Sequence, residues 1–144
     1  MSKLTFAILA IARCNVQFRS EKMAEFGLKS CHASYLLQIC NHPGISQDKL
    51  AQRIYINKSN VARQAAFLEE EGYITRQPST SDKRVQELYP TEKAIALLPQ
   101  IHSILNEWSQ LLTADLSPQE METVTAVLAK MQNTAGQWMQ EHEG

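Results

Sequence analysis

The residues best suited to chemistry in this chain are polar and basic side chains packed closely in sequence. Five of them lie within one stretch of seven positions, namely Lys58, Ser59, Asn60, Arg63 and Gln64. Arg can donate two hydrogen bonds to guanine, and Asn can both donate to and accept from adenine. Val61, Ala65 and Leu68 recur among them at i, i+4 and i+7, which predicts an apolar helical stripe facing a core. The polar residues lie off that stripe, so the pattern predicts a helix that offers them for base recognition.

A second basic group lies in a turn-rich loop over Pro78–Arg84. The β-branched, aromatic and aliphatic residues on both sides predict a hairpin with strands Tyr73–Gln77 and Val85–Tyr89. An arginine at its tip, Arg84, could enter a minor groove, where the negative potential attracts it. Asp82 could orient that guanidinium by paired hydrogen bonds. A solvated hairpin with ordinary surface charges is the alternative interpretation.

Helix signals upstream of the hairpin show how these groups are positioned. Ser46 can cap a short helix, Ser46–Arg53, and after a turn at Tyr55–Asn57 the Asn57 side chain can cap a second helix, Asn57–Glu71. Gly72 ends the second helix, and the hairpin follows directly. Helix, turn, helix and hairpin in succession predict a winged helix-turn-helix that binds DNA.

This part of the chain resembles the multiple antibiotic resistance regulator (MarR) family, and the resemblance extends from about Ser34 to Met131. The motifs that carry it are Leu50-Ala51, Asn57–Arg63, Leu68-Glu69-x-x-Gly72-Tyr73-Ile74-x-Arg76, Asp82-Lys83-Arg84, Thr91-Glu92-Lys93 and Leu116–Glu120. The resemblance implies a homodimeric transcriptional regulator, in most members a repressor that small molecules, metals or oxidants release from DNA. It places Lys58–Arg63 on the recognition helix and Arg84 at the wing tip.

The predicted partner is therefore double-stranded DNA, and no cofactor is predicted. The residues expected to contact DNA are Lys58, Ser59, Asn60, Arg63, Gln64, Arg76, Lys83 and Arg84, with Asp82 orienting the wing. Two classes of alternative stay open. One is a thiol-based or metal-responsive regulator of the same fold, and the other is a winged-helix adaptor that binds protein instead of DNA.

The N-terminal tract Leu4–Phe18 predicts a helix that continues to about Phe26. Its apolar face is expected to be buried against C-terminal helices of the same or a second subunit, through Leu4, Ile8, Ile11 and Phe18. The apolar run Leu4–Ala12 has some features of a signal peptide, but Arg13 stands where small residues should precede a cleavage site. The run is also too short to span a bilayer. We therefore expect a cytoplasmic protein without a membrane partner.

A break over residues 27–30 precedes a second predicted helix, Ser30–Asn41. The residues of this helix expected in the core are Tyr35, Leu36, Ile39 and Cys40. Pro43-Gly44 ends it, and Ile45 is expected to form a single short strand that pairs with the wing.

After the hairpin, Thr91 opens a long helix whose predicted buried stripe comprises Ile95, Leu98, Ile101, Leu105, Trp108 and Leu112. Pro99 predicts a kink within it. Ser117, Pro118 and Glu120 form a capping box that starts a last helix. Its apolar face comprises Met121, Val124, Leu128 and Met131, with Val127 beside it. Gly136 is expected to fray this helix, and Glu141–Gly144 to form a tail.

The terminal helices carry more apolar surface than one short chain can cover, which predicts a homodimer. We expect residues 1–29 and 91–144 to form the helical dimerisation region and residues 30–90 the DNA-binding region of one domain. The fold class is thus mainly α with a small hairpin wing, dimeric through the N- and C-terminal helices.

Composition and charge fit a globular DNA-binding protein with an uneven charge distribution. The 144 residues are 44% hydrophobic and 20% charged, with a net charge of −1, which excludes a disordered chain. Residues 1–45 carry five basic and two acidic side chains, residues 46–90 seven and six, and residues 91–144 two and seven. Negative charge is concentrated in the C-terminal part, and we expect modest, salt-sensitive DNA affinity.

Other chemistry finds less support in the sequence. Catalytic motifs are absent, with neither a Gly-rich phosphate loop nor a nucleophile motif, so an enzyme is not predicted. The three cysteines lack CxxC spacing and are expected to be free thiols, although Cys14 beside Arg13 is a candidate peroxide sensor. A zinc site from Cys31, His32, His42 and His102 is a further alternative to scattered histidines. A small-molecule effector is expected among the N-terminal, second and long helices, against Ile11, Cys14, Tyr35, Ile39 and His102.

Overall fold

A computed structural model describes residues 1–142, which form six α-helices and a three-stranded antiparallel sheet. In chain order the elements are α1 Lys3–Met23, α2 His32–Asn41, β1 Ile45–Ser46, α3 Gln47–Ile54, α4 Lys58–Glu70, β2 Ile74–Pro78, β3 Gln86–Pro90, α5 Glu92–Leu112 and α6 Pro118–His142. A short 3₁₀ turn, Ala24–Phe26, follows α1. The predicted fold class, mainly α with a hairpin wing, is confirmed.

Side-chain caps fix the boundaries of the helix-turn-helix close to the predicted positions. The Ser46 hydroxyl accepts a hydrogen bond from the Lys49 backbone N–H at 3.1 Å, at the start of α3. The Asn57 side chain accepts from the Asn60 N–H at 2.8 Å, at the start of α4. Between them, Tyr55 adopts the left-handed conformation with φ 59° and ends α3. Each cap satisfies a backbone donor that the first helical turn leaves unpaired.

The sheet has the strand order β1-β3-β2, so the central strand is the second strand of the hairpin. Ile45 pairs with Leu88, which confirms the predicted single short strand against the wing. Arg76 pairs with Leu88 from the other side. The hairpin begins after Gly72, whose φ of +82° is in the left-handed region that favours glycine.

The core lies where α2, α3, α4, the sheet and the first half of α5 meet. Its largest fully buried side chains include Tyr35, Leu36, Ile39, Leu50, Leu68, Leu88 and Ile101. The predicted stripe of α4 is confirmed, because Val61, Ala65 and Leu68 are all fully buried. In α2, Tyr35, Leu36 and Ile39 are buried as predicted, whereas Cys40 is only half-buried.

The predicted buried stripe of α5 is wrong in register. The buried residues are Ala94, Leu97, Ile101 and Ile104, whereas Ile95 is 53% exposed and Leu112 is 46% exposed. Only Ile101 of the predicted stripe is fully buried, whereas Leu98, Leu105 and Trp108 are half-buried, with Leu105 against the core. Because α5 carries apolar residues around much of its circumference, the spacing alone does not identify the face that packs on the core. The helix continues through Pro99 without ending.

The predicted burial of the N-terminal helix is not found within one chain. Leu4 is 56% exposed, Ile8 39% and Ile11 45%, and α6 has no buried residue at all among the described ones. Of the four residues predicted to be buried, Phe18 is the one that packs against the core, with its ring centroid 5.3 Å from that of Trp108 on α5. The two terminal helices therefore present apolar faces that the same chain leaves uncovered.

The start of α6 follows the predicted capping box, but its end does not follow the prediction. Ser117 and Glu120 exchange backbone-to-side-chain hydrogen bonds of 3.0 and 3.1 Å. Gly136 does not fray α6, which extends to His142. Instead Gly136 faces Tyr55, since a Cβ there would lie 3.0 Å from the Tyr55 ring. Of the predicted tail, residues 143–144 lie outside the described residues. No helix of the described part is long and apolar enough to cross a membrane.

Tyr35 is a buried core residue whose hydroxyl has no hydrogen-bond partner among residues 1–142. Burial, with a further contribution from Cys31, raises the pKa of Tyr35 to about 12. The folded chain therefore keeps this phenol neutral over a range where the unfolded chain, with a pKa near 10, ionises it. The free energy of unfolding is therefore independent of this ionisation below about pH 10 and falls as the pH rises from about 10 toward 12.

We expect Tyr35→Phe to leave the free energy of unfolding unchanged or to raise it by up to about 1 kcal/mol, because it removes an unpaired buried polar group. Urea unfolding at neutral pH and fixed protein concentration measures this. Tyr55→Phe is the matched control, since the Tyr55 hydroxyl accepts a hydrogen bond from Gln132 and its loss should not stabilise the fold. A destabilisation of Tyr35→Phe well above 1 kcal/mol would contradict the assignment of an unpaired hydroxyl.

Candidate nucleic-acid interface

The first two turns of α4 present four of the predicted contact residues on the surface. Lys58, Ser59 and Arg63 are exposed, and Asn60 is partly exposed. They are positioned by the opposite face of the helix, whose buried stripe fixes the rotation of α4 about its axis. The N-terminus of a helix also carries partial positive charge and unpaired N–H groups, which favour phosphate.

Hydrogen bonds within this surface are short-range and leave the donors available. The Ser59 hydroxyl donates to the Asn57 side chain at 2.9 Å. Arg63 reaches the Asn60 amide oxygen at 3.5 Å, the limit of a hydrogen bond. Lys58 lies 3.6 Å from Asp48 on α3, and both side chains are more than half exposed. An exposed ion pair of this kind contributes little to stability, so a phosphate can replace the carboxylate.

The wing tip holds one arginine in a fixed orientation. Arg84 donates from Nε to Asp82 Oδ1 at 3.1 Å and from Nη2 to Oδ2 at 3.2 Å, and its backbone N–H donates to Oδ1 at 3.0 Å. The Arg84 side chain remains 91% exposed. These hydrogen bonds, led by the guanidinium, lower the pKa of Asp82. The pairing restricts the guanidinium of Arg84 while leaving its outer face open, and the neighbouring Lys83 is also exposed.

Arg76 is not free in the way its predicted role requires. Its backbone N–H and guanidinium donate three hydrogen bonds to the Glu69 carboxylate, at 3.1 to 3.3 Å. A further bond of 3.4 Å reaches Gln47 on α3. The Arg76 side chain is only 26% exposed. This residue therefore joins the end of α4 to strand β2, and its contact with DNA stays a prediction.

Gln64, also predicted to contact DNA, has a hydrogen-bond partner within the chain. Its amide oxygen lies 2.7 Å from Nε2 of His32, a fully buried histidine at the start of α2. The Gln64 side chain therefore points toward the core, and not toward the exposed surface formed by Lys58, Ser59 and Arg63. The spacing of residues predicts a helical position for Gln64 but contains no signal for a contact with His32, which lies 32 positions earlier.

The five residues of the predicted effector site differ in exposure, and the site stays a prediction. Tyr35 and Ile39 are fully buried in the core, whereas Ile11, Cys14 and His102 are exposed. A cavity of about 230 Å³ lies elsewhere, between α3 and α6. Its walls include Gln52, Tyr55, Asn133, Gln137, Met139 and Gln140, and none of the five predicted residues.

The cysteines and histidines of the described residues do not form a metal-binding site. Within residues 1–142, no three His, Cys, Asp or Glu side chains lie close enough to hold an ion. Both ring nitrogens of His32 are engaged in hydrogen bonds, so His32 is not available for the alternative zinc site. Burial raises the pKa of Cys31 and of Cys40, which keeps both as protonated thiols. Cys14 is exposed on α1.

Comparisons with known proteins agree with this geometry. Residues 30–85 match the MarR family. The HTH-type transcriptional regulator YybA of Bacillus subtilis (strain 168), itself uncharacterised, is 28% identical over 131 residues, covering 91% of this chain and 87% of YybA. The crystal structure of the transcriptional regulator SlyA superposes with a TM-score of 0.92 at 28% identity, over 96% of this chain and 98% of that one.

A second solved structure extends the similarity to a protein with DNA bound. A MarR family transcriptional regulator from Listeria monocytogenes, crystallised with a 26mer DNA, has a TM-score of 0.90 and 25% identity. The alignment covers 96% of this chain and 93% of the Listeria chain. The sequence similarity and the shared fold extend beyond the winged helix to the terminal helices. The chain is thus similar to MarR family transcriptional regulators, in sequence over residues 30–85 and in fold over nearly its whole length.

Proposed function

We propose that this protein is a sequence-specific DNA-binding transcriptional regulator that acts as a homodimer, with repression as its mode of action. The observation that carries the proposal is the combination of two surfaces on one winged helix. One is the polar start of α4, and the other is the wing tip with its oriented Arg84. The Listeria relative of the same fold, crystallised with DNA, supports the same use of this fold here.

The start of α4 supplies the groups that base recognition needs. Arg63 and Asn60 carry the side chains with the clearest preferences in the major groove, for guanine and adenine respectively. Lys58 and Ser59 precede them at the helix N-terminus, where phosphate oxygens are favoured. We assign Lys58 and Ser59 to positioning on the backbone, and Asn60 and Arg63 to base readout.

The wing adds a contact of a different kind. A minor groove attracts arginine through its negative potential and width, with little dependence on base identity. Arg84 is exposed and held by Asp82 in advance, so less side-chain entropy is lost when it enters the groove. Lys83 adds charge beside it.

The uncovered apolar faces support a homodimer through the terminal helices. Exposed apolar side chains lie along α1, the end of α5 and α6, and include Leu4, Phe6, Ile11, Leu111, Leu112, Val127, Leu128 and Trp138. Contiguous apolar surface on this scale marks an interaction site. A second copy has the same faces, and a twofold axis makes such a patch self-complementary. Residues 1–29 and 91–144 then form the dimerisation region, and residues 30–90 the DNA-binding region.

In such a dimer the two α4 helices read half-sites about one helical turn apart, or a multiple of it. Repression follows from occupancy of an operator, and relief requires a ligand that changes the separation of the two winged helices. The ligand must bind the DNA-incompetent form more tightly, since equal affinity shifts no population. The protein's regulatory role is thus a matter of dimer geometry and not of catalysis.

We expect selection from a random duplex library to enrich a palindromic site, and Arg84→Ala to weaken binding to it by about 1–3 kcal/mol with a smaller salt slope. Fluorescence anisotropy at several salt concentrations measures both quantities. Lys130→Ala is the matched control, because Lys130 is an exposed basic residue on α6, distant in sequence from α4 and the wing. Its removal should leave the salt slope unchanged.

The competing function is a winged-helix adaptor that binds protein. It would give no enriched sequence, and any residual DNA binding would not respond to Arg84→Ala. Under that outcome the DNA-binding proposal fails, and partner capture with the same two variants identifies the adaptor's surface.

We expect sedimentation velocity to give twice the mass of one chain for the wild type, and Leu128→Glu to shift the protein toward monomer by placing a charge in the apolar contact. Ala126→Glu is the matched control. Ala126 lies two positions earlier on α6, on nearly the opposite side at about 3.6 residues per turn. If Leu128→Glu remains fully dimeric at micromolar concentration, the interface does not use this face of α6.

A further inference from the structure

His32 is a completely buried histidine whose two ring nitrogens are both engaged. Nδ1 lies 2.9 Å from the backbone N–H of Lys29, and Nε2 lies 2.7 Å from the Gln64 amide oxygen. The imidazole also stacks on Phe67, with 4.9 Å between ring centroids and 8° between planes. Gln64 and Phe67 are neighbours one turn apart on α4, so a single ring at the start of α2 contacts the recognition helix at two points.

The hydrogen bonds determine which nitrogen carries the proton. A backbone N–H can only donate, so Nδ1 of His32 must accept and is unprotonated. Nε2 therefore carries the hydrogen and donates it to the amide oxygen of Gln64. This assignment in turn fixes the orientation of the Gln64 amide, because its NH₂ group could not accept that hydrogen.

We infer that His32 is a positioning residue for DNA recognition: as the neutral Nε2–H imidazole it holds Gln64 and Phe67 of α4 in place, in addition to the buried stripe that fixes the rotation of the helix. The inference rests on the proposed function and deepens it, since it concerns how the reading helix is held. It also withdraws the Gln64 amide oxygen from DNA. A glutamine so engaged cannot make the paired contact with adenine that needs both its oxygen and its nitrogen.

Protonation of His32 is incompatible with this arrangement. A proton on Nδ1 would face the Lys29 N–H, placing two donors at 2.9 Å and losing that hydrogen bond. The ionisable residues nearest the ring are Lys29 and Cys31 before it in sequence and Tyr35 on α2, 6.3 Å away between ring centroids, while Arg63 adjoins Gln64 in the sequence of α4. None of these is a carboxylate that would stabilise the imidazolium.

The direction of the pH effect follows from burial. Burial lowers the pKa of His32, the hydrogen bond with Gln64 opposes the shift, and the charge of Lys29 adds to it. The unfolded chain, with a pKa near 6.5, therefore binds a proton at a higher pH than the folded chain does. The stabilisation is present above about pH 6.5 and is lost as the pH falls below it. Acid should thus weaken DNA binding, although added positive charge alone would strengthen it.

Two substitutions separate the two hydrogen bonds. His32→Asn keeps an acceptor near the position of Nδ1 and loses the donor to Gln64, whereas His32→Gln keeps a donor near the position of Nε2 and loses the acceptor. We expect His32→Asn to bind the selected duplex about tenfold more weakly than the wild type at about pH 7.5, and His32→Gln to retain more of the affinity. Neither variant should show the loss of DNA affinity that the wild type shows as the pH falls below about 6.5. His42→Gln removes an exposed histidine, and this variant should lose DNA affinity in acid as the wild type does.

A double-mutant cycle tests whether His32 acts through Gln64. If it does, the effects of His32→Asn and Gln64→Met on DNA affinity are non-additive, because either one breaks the same hydrogen bond. If Gln64 only reads DNA, the two effects add, and the positioning role is refuted. Circular dichroism and melting temperature of each variant show whether the fold is retained.

The failure of this inference is distinguishable from failure of the proposed function. If the wild type selects no duplex, ¹⁵N NMR of the wild-type imidazole still decides the assignment, since the inference requires a protonated Nε2 and a bare Nδ1 at neutral pH. The other tautomer, or an imidazolium, overturns it. If the wild type binds its duplex but His32→Asn binds equally well, the protein is a DNA-binding regulator in which His32 has no positioning role.

Discussion

The burial of one apolar stripe on α4 is the constraint on which the reading surface depends. Val61, Ala65 and Leu68 are fully buried, and at about 25 cal/mol per Å² of apolar surface each contributes on the order of 1–2 kcal/mol. Rotating α4 to present a different face would expose this stripe, so the first two turns must present Lys58 and Arg63 to solvent. The chemistry of the interface is therefore set by packing on the far side of the helix.

Hydrogen-bonded ion pairs then fix side-chain orientations that apolar packing does not determine. Asp82 restrains Arg84, Glu69 holds Arg76, and the partners differ in exposure. The exposed wing pair contributes little to stability, and its effect is to orient a guanidinium. The Glu69–Arg76 pair is partly buried and engages a backbone N–H as well, so it fixes the angle between α4 and β2. Similar pairs of residues thus serve recognition in one place and architecture in another.

The sequence allowed the winged helix to be predicted because its signals are local. Caps at Ser46 and Asn57, the end of α4 at Gly72 and the alternation of the hairpin each act within a few residues. The failures concern contacts between distant segments. The bond from Gln64 to His32 spans 32 positions, and no spacing rule for a single helix anticipates it. The register of α5 was wrong for a related reason, because a helix with two apolar faces needs a partner to show which one packs inside.

Contacts between distant segments also connect the winged helix, α3 to β3, to the long helix α5. At the joint after the wing, the Thr91 hydroxyl donates to the carbonyls of Gly72 and Tyr73, and Lys93 donates to the carbonyl of Glu71 at 2.7 Å. The Lys93 ammonium also lies 4.3 Å from the centre of the Tyr73 ring. These contacts tie the winged unit to the start of α5.

The C-terminal helix α6 contacts the winged helix at a different place, Tyr55 in the turn between α3 and α4. The Tyr55 hydroxyl accepts from Gln132, and its ring lies against Gly136, where any larger residue would meet it. Among non-glycine residues of the described chain, only Tyr55 has a positive φ, so this contact falls at the most constrained point of the helix-turn-helix. In a dimer built on α1, α5 and α6, the separation of the two α4 helices is therefore fixed at two places in each subunit. Under the proposed function, a ligand that alters the packing of the terminal helices changes DNA affinity through these joints, without contacting the residues proposed to bind DNA.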